Sequence, residues 1–196
     1  MQHALSNVQI CICVEKSTLY NTTVLTVPSA DRKAIKNGFD NNPEYIINQI
    51  EHNSMYTNRE DAEIGQILHP LVCIIYKRNL DNKYAVKNTH GTLSIMFPMH
   101  IYNKGNYTDI LKNTVSESLL VRNKNILSLQ QLGSFYYPEL GYRHILLLYE
   151  VLYYKQKYIQ NENNVLYLDA NTIFEKYMAF DQYSRKYIDL LYDGGK

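Results

Sequence analysis

The chain has no tryptophan, three cysteines and five prolines, and its apolar runs are short. Each scarcity excludes something. An odd cysteine count without a secretory start argues against a disulfide framework. Cys11, Cys13 and Cys73 read as reduced, buried thiols, and too few partners stand at metal spacing for a structural zinc. The opening MQHALSNVQI lacks a basic segment followed by an apolar one, so no signal peptide is expected and the location reads as cytoplasmic. Runs such as Ile145 to Tyr149 are strand-sized, far below the roughly 18 residues of a membrane span. Charge of one sign is also missing: 20 Lys and Arg face 19 Asp and Glu, a net charge of +1. A nucleic-acid partner is therefore disfavoured, because phosphate backbones select a basic excess.

What remains is ordinary in amount and unusual in kind. The 196 residues are 45% apolar and 20% charged, enough for one domain with its own core. Nineteen tyrosines stand out. With abundant Asn, Ile and Lys they read first as a compositional bias and second as an aromatic-lined pocket or contact surface.

Hydrophobic periodicity gives the elements. Strands are expected at 7–15, 23–27, 71–76, 84–86, 92–97, 142–154 and 165–168. The stretch 71–76, LVCIIY, is apolar throughout, the pattern of a strand buried on both faces. Residues 80–83 form its hairpin turn. Lys36 to Pro43 and Asn58 to Glu63 read as loops. Helices are expected at 44–51, 107–121, 172–178 and 184–192. The second carries Ile110, Leu111, Val115, Leu119 and Leu120 at helical spacing, Thr108 as N-cap and Asp109 in its first turn. Strands around a central helix, with helices at the end, describe an α/β fold: a mixed sheet covered by helices. One domain over 1–192 is expected, with first strands at 7–27, a core at 59–192 and a flexible tail at 193–196.

From Arg59 onward, the order of features resembles a bacterial branch of the Nudix superfamily. R-E-D-A-E-I-G-Q-I-L-H-P, Arg59 to Pro70, is similar to its lead-in. LVCIIYKR is similar to its first core strand, and G-T-L-S-I-M-F-P-M-H to the family stretch G-x-L-S-I-G-I-G-G-H. G-Y-R-H-I-L-L-L-Y-E-V is similar to a later strand that opens on a histidine, and M-A-F-D-Q-Y-S-R-K-Y-I to the closing helix. The resemblance implies an α/β/α sandwich around a mixed sheet. It also implies hydrolysis of a nucleoside diphosphate linked to another group, with Mg²⁺ or Mn²⁺ held by carboxylates on one helix.

The defining box, G-x5-E-x7-R-E-U-x-E-E-x-G-U with U a bulky apolar residue, is degenerate here. R-E-U-x-E-E falls on Asn113, Thr114, Val115, Ser116, Glu117 and Ser118, so only Val115 and Glu117 fit. The upstream Gly and Glu fall on Met99 and Gly105, and Pro98 and Met99 replace a glycine pair. Glu117 is the surviving candidate for catalysis and metal binding. Asp109 is a second metal candidate, about 12 Å along the helix. Lys77, Arg78 and Arg143 are candidates for a phosphate-binding cluster, since guanidinium matches phosphate oxygens. His100, His144 and Tyr142 would complete it. The cleft is expected between the helix at 107–120, the strand end at Lys77–Arg78 and the strand start at 142–144.

Each candidate also has a plain structural reading: a solvated helix acid, a satisfied core histidine, a charged strand end. The favoured function is binding of a nucleotide-like phosphorylated ligand, in a sensing, sequestering or regulatory role, with little or no hydrolysis and no required cofactor. A hydrolase with metal ligands moved to Glu139, Glu150 or Asp169, using Mg²⁺ or Mn²⁺, is the alternative. An inert scaffold or inhibitor meeting a protein partner through its tyrosines is the third.

Overall fold

A computed structural model describes residues 23–101, 106–109, 111–112, 125–138, 144–154 and 164–193. In chain order these form β1 (Thr23–Thr26), β2 (Gly38–Asp40), α1 (Glu44–Asn53), β3 (Met55–Asn58), α2 (Arg59–Ile64), β4 (His69–Arg78), β5 (Tyr84–Thr89), β6 (Thr92–Ser94) and β7 (Phe97–His100). Helical residues 107–109 and 111–112, labelled α3, follow. Then come β8 (Ile126–Tyr136), β9 (His144–Tyr153), β10 (Val165–Leu168), α4 (Ala170–Glu175) and α5 (Gln182–Asp193). The strand expected at 7–15, with Cys11 and Cys13, lies outside the described residues.

The main sheet runs β10-β5-β4-β9-β8-β2, with β6 added to β5 and β7 to β4, while β1 and β3 pair separately. The sheet is mixed: β4 and β9 lie parallel over ten residue pairs, His69 with His144 through Arg78 with Tyr153. Every described residue of β4 from His69 to Tyr76 is buried. An unbroken apolar strand is what a sheet covered on both faces needs.

Alternate residues supply two cores. Val72, Ile74, Tyr76, Ile145, Leu147 and Tyr149 face a layer with Ile46 and Ile50 of α1 and Tyr107 and Leu111 of α3. Leu71, Cys73, Ile75, Leu146 and Leu148 face the other layer, with Ile173 of α4 and Tyr187 and Ile188 of α5. Helices therefore cover both faces of the sheet.

Several expectations fail, each for a local reason. Asn58 to Glu63 is not loop: Asn58 accepts from the Glu60 N–H at 2.9 Å, Arg59 pairs with Glu63 at 2.9 Å, and Ala62 is buried, so the polar run folds as α2. Gly38 to Asp40 becomes β2 by pairing with Tyr136 to Ser134 of β8. The strand expected at 92–97 breaks into β6 and β7, with Ile95 and Met96 buried between them. The cap of α3 is Asn106 rather than Thr108: its Oδ1 accepts from the Asp109 N–H at 3.0 Å, and its Nδ2 donates to the Asp109 carboxylate at 2.7 Å. Strands β3 and β8 form where the sequence pattern predicts none.

One glycine is required by space. A Cβ on Gly133, at φ +147°, would lie 2.3 Å from the Asp40 carbonyl oxygen, where β2 closes on β8 beside a bulge. At the start of α5, Asp181 accepts from both the N–H and the hydroxyl of fully buried Ser184, and Ser184 Oγ accepts from the Ile95 N–H at 3.1 Å. This chain of bonds ties α5 to the sheet.

Candidate functional site

The parallel register of β4 and β9 decides where the candidate residues sit. Lys77 and Arg78 end β4, whereas His144 begins β9 opposite His69. Eight to nine residues at about 3.3 Å each separate the two ends by about 26 to 30 Å. A cleft holding Lys77, Arg78 and His144 together therefore does not exist. The reason is that parallel strands start at the same end of the sheet, so one strand's end cannot meet its neighbour's beginning.

At the Lys77–Arg78 end the charges are answered locally. The Arg78 guanidinium grips Asp81 through two bonds, 2.8 Å from Nε and 2.5 Å from Nη2, and stacks 4.2 Å from the Tyr167 ring centre. The hydrogen bond to Asp81 raises the Arg78 pKa, and the same bond lowers that of Asp81. Lys77 Nζ lies 5.5 Å above the Tyr84 ring. Burial, with Glu150 nearby, pushes the Tyr84 phenol up to about 12.

At the opposite end aromatic rings meet. His69 and His144 touch edge to face with centroids 4.1 Å apart. His69 is 1% exposed and its Nδ1 lies 3.1 Å from the Ile67 carbonyl, while both ring nitrogens of His144 are enclosed by protein. Tyr137 follows the last β8–β9 pair, Tyr136 with Ile145, which carries it alongside His144. Lys186 of α5 reaches over the Tyr137 ring at 5.7 Å. His100 holds a backbone position opposite Leu71, two residues along β4 from His69. Its side chain, and Glu117, Glu139, Tyr142 and Arg143, lie outside the described residues. The pattern missed His69, Tyr137 and Lys186. Only the His-Pro pair opening a buried strand marks His69, and nothing local marks the other two.

The acids do not converge. Among the described residues, no three His, Cys, Asp or Glu side chains gather in a way that could hold a metal. Asp109 is exposed and bound to Asn106. Glu150 stands opposite Ile75 in mid-sheet, while Asp169 caps α4 by accepting from the Thr172 N–H at 2.8 Å, which lowers its pKa. From β9 to the end of β10 is three strand spacings, about 14 Å. Cys73 is fully enclosed and its pKa is raised well above normal by burial, then by Asp181, which removes it as a nucleophile.

The helix α3 enters the core through its first residue. The Tyr107 hydroxyl hydrogen-bonds that of Tyr149 in β9, and burial pushes both phenols up, Tyr149 to about 12. A shallow depression of about 410 Å³ lies along α1, lined by Glu44, Tyr45, Ile47, Asn48, Glu51 and His52. Among the described helices, none is long and apolar enough to cross a membrane.

No family model and no curated protein matches the sequence. Solved structures do match the fold. The crystal structure of Tm1382, provisionally described as a Nudix hydrolase, superimposes with a TM-score of 0.71 at 15% identity, covering 86% of this chain and 97% of that one. DR0079 from Deinococcus radiodurans gives 0.47 at 13% identity, over 63% of this chain and 81% of that one.

Proposed function

We propose, taking as premise the Nudix fold that the likeness to Tm1382 establishes, that this chain binds a phosphorylated, nucleotide-like ligand and hydrolyses it little or not at all. The observation that carries the reading is the helix opened by Tyr107. Its start is anchored in the core by Tyr107 and Leu111. Yet the sequence from Asn113 to Ser118, where the family's box would place metal-binding carboxylates, offers Glu117 alone.

The described acids do not fit the divalent cation that the fold family implies. Asp109 is committed to Asn106, and Glu150 and Asp169 stand too far apart to share one ion. In this reading phosphate charge is met by cationic side chains. Lys77 and Arg78 are occupied at the far end of the sheet. Arg143, next to His144, is the guanidinium best placed in sequence to take the phosphate, with Tyr142 and His100 as further candidates. His144 packs on His69 and both its ring nitrogens are enclosed, so in this reading it supports the site and does not donate to the phosphate. Charge-assisted bonds of this kind contribute about 1.5 to 3 kcal/mol each.

Calorimetry with ADP-ribose and a panel of nucleoside diphosphates and triphosphates, with and without EDTA, tests the reading. Binding is expected to survive EDTA, weaken with salt and fall at least tenfold in Arg143→Ala. Robust Mg²⁺-dependent turnover lost in Glu117→Gln would overturn it. Binding that strictly needs a metal would contradict the cationic mechanism, and no binding at all would favour a protein-contact role.

A further inference from the structure

We infer that the exposed face of α5 pairs two copies of this chain, antiparallel and about a two-fold axis. One side of α5 belongs to the core through Ser184, Tyr187 and Ile188. The other side presents Gln182, Lys186, Asp189 and Asp193, all exposed; the Lys186 ammonium lies 5.7 Å from the Tyr137 ring of its own chain, a contact that answers it with no described acid. Their spacing of four, three and four residues aligns them along one helical stripe. The spacing reads identically from either end. A two-fold axis through the helix midpoint therefore sets Lys186 of each copy against Asp189 of the other, and Gln182 against Asp193. A two-fold interface demands this reciprocity, in which residue i meets j and j meets i.

The order of charge on α5 is unfavourable within one chain. Arg185 and Lys186 occupy the N-terminal half and Asp189 and Asp193 the C-terminal half, the reverse of what the helix dipole prefers. Arg185 precedes Asp189 by four residues, the weaker orientation for a helical pair. No ion pair forms between these cations and acids: the described salt bridges are Arg59–Glu63 and Arg78–Asp81. Asp189 instead accepts a bond from the Tyr177 phenol, which leaves carboxylate capacity facing outward. An antiparallel partner helix corrects the mismatch, because each cationic half then meets an anionic half and the two dipoles oppose.

The ground beside the stripe suits protein contact. Phe174 and Tyr192 stack 4.7 Å apart, nearly parallel at 11°, while remaining 50% and 54% exposed. Met178, in the turn that follows α4, is 80% exposed. Aromatic side chains and Met are enriched at interface centres. Twelve residues span only about 18 Å, so the contact is small, and the dimer is weak and sensitive to salt.

Sedimentation equilibrium on the full chain, at low and high salt, reads the association directly. The wild type should dimerise at low salt and dissociate as salt rises. Lys186→Asp should weaken the dimer at least about tenfold, since two attractive pairs become repulsive. Adding Asp189→Lys to that variant should restore it, which a merely misfolded helix would not allow. Circular dichroism on each variant confirms that α5 still folds. A wild type that stays monomeric, a dimer indifferent to Lys186→Asp, or a folded double variant that stays monomeric would each overturn the proposal.

Discussion

The two ends of the central parallel pair make opposite use of similar chemistry. At the Lys77–Arg78 end, the two strand-end cations are engaged inside their own hairpin and edge strand: Arg78 on Asp81 and Tyr167, Lys77 on Tyr84. That end is a clasp holding β4, β5 and β10 together. At the other end, His69 meets His144 edge to face, Tyr137 packs on Phe135 under Lys186 of α5, and the chain continues into the stretches that carry His100, Tyr142 and Arg143. The difference teaches that a cation at a strand end says little by itself. Whether a local acid answers it decides between structure and binding.

The largest expected effect breaks the platform that both ends share. Cys73, 1% exposed, sits midway along β4. Cys73→Asp should cost several kcal/mol, because it places an unpaired acid in the apolar layer beneath α5. A near-normal melting temperature would show that β4 is not the common support.

Next in size, Gly133→Val should cost about 2 to 4 kcal/mol in urea unfolding, by forcing β2 away from β8 near the histidine end. The Lys77–Arg78 clasp should be unaffected, with Arg78 still protected in hydrogen exchange. Equal loosening of both ends would erase the contrast.

A smaller effect follows from the tyrosines. Tyr84 at the clasp and Tyr149 under α3 have folded pKa values of about 12 against an ordinary 10. A raised value means the folded state holds its protons longer, so this stability is present in full below pH 10 and lost as pH rises toward 12. Denaturant midpoints should fall over that range, and tyrosinate absorbance should appear later in the folded chain than in urea.

The smallest expected change in stability sharpens the comparison most. Arg78→Ala should cost about 1 kcal/mol or less, as a partly exposed pair with a ring contact, and leave nucleotide binding unchanged. Arg143→Ala should do the reverse, sparing the melting temperature and weakening binding. Equal loss of affinity in both variants would return Arg78 to the ligand.

Local sequence determined what depends on near neighbours. The unbroken apolar run Leu71 to Tyr76 announced a strand covered on both faces, the spacing of Tyr45, Ile46, Ile47 and Ile50 announced α1, and Asp181 with Ser184 now caps the expected closing helix. The order of motifs from Arg59 onward pointed to the Nudix fold, and the fold match agrees. Strand β8 stayed hidden because Gln130, Gln131 and Gly133 interrupt its apolar residues, and its pairing, not its pattern, makes it a strand. Helix α2 hid in a polar run whose reasons to fold are a cap, an ion pair and one buried alanine. Only the tertiary structure decided which candidates meet. A parallel register is set by packing across two buried faces, and no window of neighbouring residues contains it, so the sequence could list Lys77, Arg78 and His144 without revealing that a full strand length separates them.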